Sequence, residues 1–176
     1  MKRLVYQNLA VIGSAMFTGV MLTIGLALGR YWVDLAPQEF ALWFKANFIL
    51  LLPCVMVTLV PAFVGVGWLL KQDWNVPKLR RGWMIALGGI GLASLITMVY
   101  HLPANFRLWG LDQTDAQITT ELRWWLVLHV PRVLAGLTGA VAALWTALES
   151  ARSLPSPTAH GAATHARPAM TSEAPK

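Results

Sequence analysis

Charge is what this chain has least of. Only 12% of its 176 residues are charged, no more than eight are acidic, and the run from Trp83 to Tyr100 carries none. With 56% hydrophobic residues and a mean hydropathy of +0.54, that scarcity excludes an ordinary soluble domain. Cysteine is nearly absent too. The lone Cys54 can form no disulfide within the chain and gives no indication of redox compartment. The formal charge of +6 comes from dispersed lysines and arginines, and with no soluble basic domain to carry them nucleic acid is excluded as a partner. No internal repeat stands out, so alternating-access transport has little machinery to build on.

What is present in quantity is long apolar sequence. About 20 residues at 1.5 Å each cross the hydrocarbon core of a bilayer. Four runs qualify, at about residues 9–28, 46–70, 83–100 and 124–148. The first follows Lys2 and Arg3 as a secretory signal would, but it is too long for a signal core and "GRYWVDL" is a poor cleavage context, so it reads as a retained span. The sequence therefore predicts an all-α integral membrane four-helix bundle over residues 1–149, followed by a disordered cytoplasmic tail over 150–176. The tail is rich in Pro, Ser, Thr, Ala and Gly, and its His160 and His165 read as incidental.

Basic residues orient the bundle. With a cytoplasmic amino terminus, Lys2, Arg3, Lys71, Lys78, Arg80, Arg81, Arg152, Arg167 and Lys176 all fall on the cytoplasmic side. The opposite side holds only Arg30, Lys45, Arg107 and Arg123, so both termini are expected in the cytoplasm, in a cell inner membrane. The nine tryptophans fall near the ends of the spans, as an aromatic belt requires.

The connections differ in character. "KQDWNVPKLRR" reads as a short cytoplasmic anchor. On the other side, "PQEFALWFK" from Pro37 predicts the start of an amphipathic helix with Phe40, Trp43 and Phe44 on one side. In "HLPANFRLWGLDQTDAQITTELR", Pro103 should hold Leu102 extended and turn the chain, with Thr119 or Thr120 capping the fourth helix. Pro53 and Pro61 should bend the second helix. "GGIGLAS" and the series Gly136, Gly139, Ala140 and Ala143 permit close helix packing.

The fourth span carries His129 and Arg132 inside apolar sequence. At 100° per residue, Glu121, Trp125, His129 and Arg132 fall within an arc of about 80°, a face that should look into the bundle. Arg132 lies roughly 12 Å along the helix from Trp124, where a charge costs about 2.5–3.5 kcal/mol on insertion scales and needs a partner, a cavity or a route to the interface. Pro131 beside it removes a backbone donor and should kink the helix. One reading makes the cluster structural, with Arg132 paired to Glu121 or a carbonyl and His129 in an interhelical hydrogen bond. The other makes it a pocket, roofed by His101, Asn105 and Arg107 and walled by Glu121, Trp125, His129 and Arg132. His101, His129 and Glu121 also form a two-histidine, one-carboxylate set of the kind that holds iron, and imidazoles suit copper.

"PAN" at Pro103 to Asn105, followed by Trp125, His129 and Arg132 in "WLVLHVPR", resembles the anthrone-oxygenase-like family of small four-helix membrane proteins. The resemblance covers about residues 5–148 and rests on those few positions. It implies oxidation of a lipophilic phenolic or quinol-type compound by molecular oxygen, without a conventional redox cofactor. His129 or His101 would then act as base, Arg132 and Asn105 would stabilise the developing enolate oxygen, and Trp125 would stack on a planar substrate, with Arg107 and Glu121 at the rim. The alternative is a non-enzymatic membrane module that binds a lipid, a quinone or an anion, or serves as a partner subunit, with Arg132 as the anchor.

Overall fold

The computed structural model describes residues 1–152, so the tail beyond them, with His160 and His165, lies outside the described residues. Four helices account for almost all of the rest: α1 (Lys2–Val33), α2 (Pro37–Gln72), α3 (Pro77–Gly110) and α4 (Asp115–Arg152). Each is long and apolar enough to cross a membrane, and no strand occurs among the described residues. The chain is thus built as an all-α, four-helix integral membrane protein.

The helices outrun their apolar cores because their stop and start signals lie beyond them. Ala36 is extended, Pro37 supplies the first helical position of α2, and the Glu39 side chain accepts from the Ala36 N–H. The expected amphipathic segment is therefore the first turns of α2, with Phe40 and Phe44 buried. Val76 and Pro77 open α3 in the same way. For α4 the cap is Thr114, not Thr119 or Thr120. The Thr114 N–H donates to Gln117 Oε1 at 2.8 Å while the Gln117 N–H donates back to Thr114 Oγ1 at 3.4 Å. Thr119 and Thr120 lie inside the helix, their hydroxyls donating to the carbonyls four residues earlier.

Proline 103 does not turn the chain. Leu102 is helical at φ −65° and ψ −48°, and α3 runs on to Gly110. A π turn over Thr97–His101 precedes it, in which the Leu102 N–H reaches back five residues to the Thr97 carbonyl. The wider turn shifts the register just where a proline ring would strike the preceding turn and where its missing N–H would break the ladder. Helix α1 contains a second π turn, Ile24–Leu28.

Short connections make sequential helices antiparallel, and they close into a ring in which α1 packs on α2 and α4, and α3 packs on α4 and α2. Small residues set the closest approaches, as expected of "GGIGLAS". A Cβ at Gly89 would stand 2.6 Å from the Ala135 carbonyl oxygen and 2.7 Å from the Gly139 Cα, so α3 and α4 meet there almost backbone to backbone. At the end formed by the start of α1 and the last turn of α4, the four helices are tied by polar contacts. Arg3 of α1 donates to both oxygens of Asp73, the first residue after α2, at 2.9 and 2.8 Å. Trp83 of α3 donates to the same carboxylate at 2.9 Å, and Arg3 and Gln7 donate to the Ser150 hydroxyl of α4. At the opposite end the core is aromatic, centred on Trp32, Phe40, Phe44 and Trp125.

The tryptophans divide between belt and core. Trp74, Trp124 and Trp145 are exposed as a belt requires, whereas Trp32, Trp83 and Trp125 are buried against neighbouring helices.

Candidate functional site: a buried arginine and its cavity

The inward face expected of α4 is present. Trp125, His129 and Arg132 are all buried, and His101 and Asn105 reach them from α3. Trp125 is the hub. Its ring stacks on His129 with centroids 5.0 Å apart and planes 12° from parallel, while His101 and Trp32 meet it edge-on at 4.8 and 5.3 Å. Its indole N–H donates to Asn105 Oδ1 at 2.9 Å, and the Arg132 guanidinium lies 5.4 Å from its ring. Protein groups therefore already engage the surface expected to stack on a planar substrate.

The two histidines are held by backbone carbonyls. A carbonyl oxygen only accepts, so the 2.8 Å contact between His129 Nε2 and the Met21 oxygen fixes the proton on Nε2 and leaves Nδ1, buried and without a partner, as a lone pair. That contact reaches α1 at the start of its π turn, and Gly25 makes room for it. A Cβ there would stand 2.8 Å from His129 Cδ2 and 3.0 Å from Nε2. His101 is wholly buried, with Nε2 3.2 Å from the Trp125 oxygen and Nδ1 3.4 Å from the Ile96 oxygen. The ring centroids of His101 and His129 are 6.0 Å apart.

Glu121 and Arg107 belong to a different cluster. Arg107 donates through Nε and Nη2 to the two Glu121 oxygens at 2.9 and 2.7 Å, a bidentate pair, and the Tyr100 hydroxyl donates to the same carboxylate at 3.2 Å. The carboxylate is thus committed away from the imidazoles. No three His, Cys, Asp or Glu side chains among the described residues come together to hold a metal ion, so the set of His101, His129 and Glu121 does not fit iron or copper.

Arg132 has neither of the partners expected for it. Its side chain forms no ion pair among the described residues. Among the described residues its one hydrogen bond is a long one, from Nη1 to Thr97 Oγ1 at 3.5 Å, and its Nε–H has no partner there. Thr97 opens the π turn of α3 and donates its own proton to the Ala93 carbonyl, which leaves its oxygen free to accept.

Beside Arg132 lies a cavity of about 140 Å³. Its polar lining is sparse: Arg132, Asn105, Thr97, Ser94 and the indoles of Trp32 and Trp125. The Trp32 N–H is buried and, like Arg132 Nε, has no partner among the described residues. Apolar side chains of α1, α2 and α3 make up the rest, and among them Leu52, Met56 and Met98 are also exposed on the outside of the bundle. The cavity thus reaches the membrane-facing surface between α2 and α3. Neither His101 nor His129 lines it. His129 instead borders a separate groove between α1 and α4, with Gly25 and Gly29.

Of the seven expected site residues, the structure gathers His101, Asn105, Trp125, His129 and Arg132, and sets Arg107 and Glu121 apart. The residues not anticipated are Trp32, Thr97 and Gly25. Thr97 had a local signal, as a hydroxyl in an apolar run ahead of a proline; Trp32 and Gly25 had none. Comparison of the chain with protein-family models, with curated proteins and with solved structures gives no match.

Proposed function

We propose that the protein is a membrane-embedded binding module, which takes a lipophilic molecule from the bilayer into the Arg132 cavity through the opening between α2 and α3. One observation carries this reading: a buried guanidinium, without an acidic partner among the described residues, stands at the wall of a mostly apolar cavity that opens toward lipid. Buried charges are ordinarily paired, and intramembrane ionisable groups that are not paired within the protein mark ligand or ion sites.

Oxidation of the kind implied by the family resemblance needs a base that reaches the bound molecule. His101 has both nitrogens against carbonyls, and neither imidazole borders the cavity that Arg132 and Asn105 share. That geometry favours binding over oxidation. The distribution of lysine and arginine supports a bundle with both termini in the cytoplasm, which puts the cavity in the outer half of an inner membrane.

The test is native mass spectrometry of the protein purified in mild detergent. A co-purified lipophilic molecule is expected on the wild type and not on Val55→Phe, which fills the cavity from α2. Equal occupancy of both proteins, or a bare wild type that takes up no added amphiphile, would overturn the reading.

A further inference from the structure

Building on that reading, we infer that the occupant is a single-chain amphiphile with a carboxylate head, bound with its acid group at Arg132 and its chain leaving between α2 and α3. Arg132 is the one charged side chain that lines the cavity, and among the described residues no acid pairs with it. An arginine side chain cannot accept a hydrogen bond, so what satisfies it must be an acceptor. A neutral carbonyl would supply acceptors and leave the cation uncompensated. A carboxylate supplies both acceptors and the missing charge, in the form that guanidinium binds best.

Size narrows the class further. A cavity of about 140 Å³ is close to the roughly 150 Å³ that accommodates a benzene-sized group, so it admits a carboxylate and its first few carbons and no more. The remainder of a long chain has to lie elsewhere, and Leu52, Met56 and Met98, which line the cavity and are exposed on the outside, provide an apolar exit. A phosphodiester lipid fits poorly on two grounds. Its phosphate carries substituents on both sides and has no free end to insert, and its place is the interface, whereas Arg132 lies about 12 Å along α4 from Trp124.

The experiment is equilibrium binding of radiolabelled oleate to the protein in nanodiscs, with counts on empty nanodiscs subtracted and methyl oleate as the neutral competitor. Folding of each variant is checked by thermal unfolding. Wild type is expected to bind oleate at least tenfold more tightly than Arg132→Gln, with Arg132→Lys intermediate. Methyl oleate is expected to compete at least tenfold less well than oleate. Equal competition by methyl oleate, or oleate binding unchanged in a folded Arg132→Gln protein, would overturn the acid-head inference while leaving a lipophilic cavity in place. If neither oleate nor methyl oleate binds, and Val55→Phe behaves as wild type, the inference and the binding reading fall together.

Discussion

The imidazole of His129 lies flat on the indole of Trp125 while its Nε2 spans to the carbonyl oxygen of Met21, 2.8 Å away on another helix. Two residues on one face of α4 thus fix α1 against α4 at the depth where α1 makes its π turn. The contact depends on there being no side chain at Gly25.

Gly25→Ala should therefore push the ring off Met21. Loss of a buried interhelical hydrogen bond together with overpacking is expected to lower stability by about 1–3 kcal/mol. Thermal unfolding in detergent measures it. Gly19→Ala is the control, since nothing stands within 4 Å of a Cβ at that position of the same helix, and it should be neutral or slightly stabilising.

Asp73 is the shared acceptor of Arg3 and Trp83, so Asp73→Ala leaves the Trp83 N–H without its partner, leaves Arg3 with Ser150 alone, and cuts the tie between α1, α2 and α3. A loss of about 2–3 kcal/mol is expected, in line with hydrogen bonds to charged groups. Asp73→Asn keeps one acceptor oxygen and should recover part of it. If the alanine variant unfolds at the wild-type temperature, the clamp contributes no stability.

The cap of α4 separates two readings of the same stretch. Thr114→Ala should destabilise the protein by about 1 kcal/mol, as loss of a helix cap does. Thr119→Ala and Thr120→Ala, whose hydroxyls only bond back along the helix, should leave it within about 0.5 kcal/mol of wild type.

Glu121→Gln tests whether the Arg107 cluster belongs to the binding site. The Arg107 side chain is 49% exposed but that of Glu121 only 11%, and glutamine keeps one acceptor oxygen, so the loss of charge should cost about 1 kcal/mol of stability. Oleate affinity should stay within twofold of wild type, about 0.4 kcal/mol. A tenfold loss of affinity would join Glu121 and Arg107 to the cavity after all.

Much of the architecture was legible because in a bilayer it reduces to one-dimensional signals. Apolar run length gave the four helices, and the 100° step placed Trp125, His129 and Arg132 on one inward face. Reach across the bundle was not legible. Glu121 shares that face with Arg132, yet its partners come from α3, where Arg107 sits two turns past the π turn. That π turn was itself hidden, because the rule that turns a chain before proline assumes an α-helical ladder, and a ladder slipped by one residue evades it. The Arg3–Asp73 tie links residues far apart in the chain and leaves no periodic trace. The cap signature Thr-x-x-Gln at Thr114 was in plain view, but it stands ten residues outside the apolar run that defined the span.

The isolation of Arg132 also bears on how the chain enters the bilayer. Helix α4 is the least apolar of the four described helices and follows the other three. An arginine at mid-helix offsets the insertion gain of about half a dozen leucines, so α4 alone is a reluctant span. Thr97, the one hydrogen-bond partner its guanidinium finds among the described residues, belongs to α3, and the pocket beside it is walled by α1, α2 and α3. Biogenesis is then ordered: the first three helices must already be seated before the fourth finds a stable place among them.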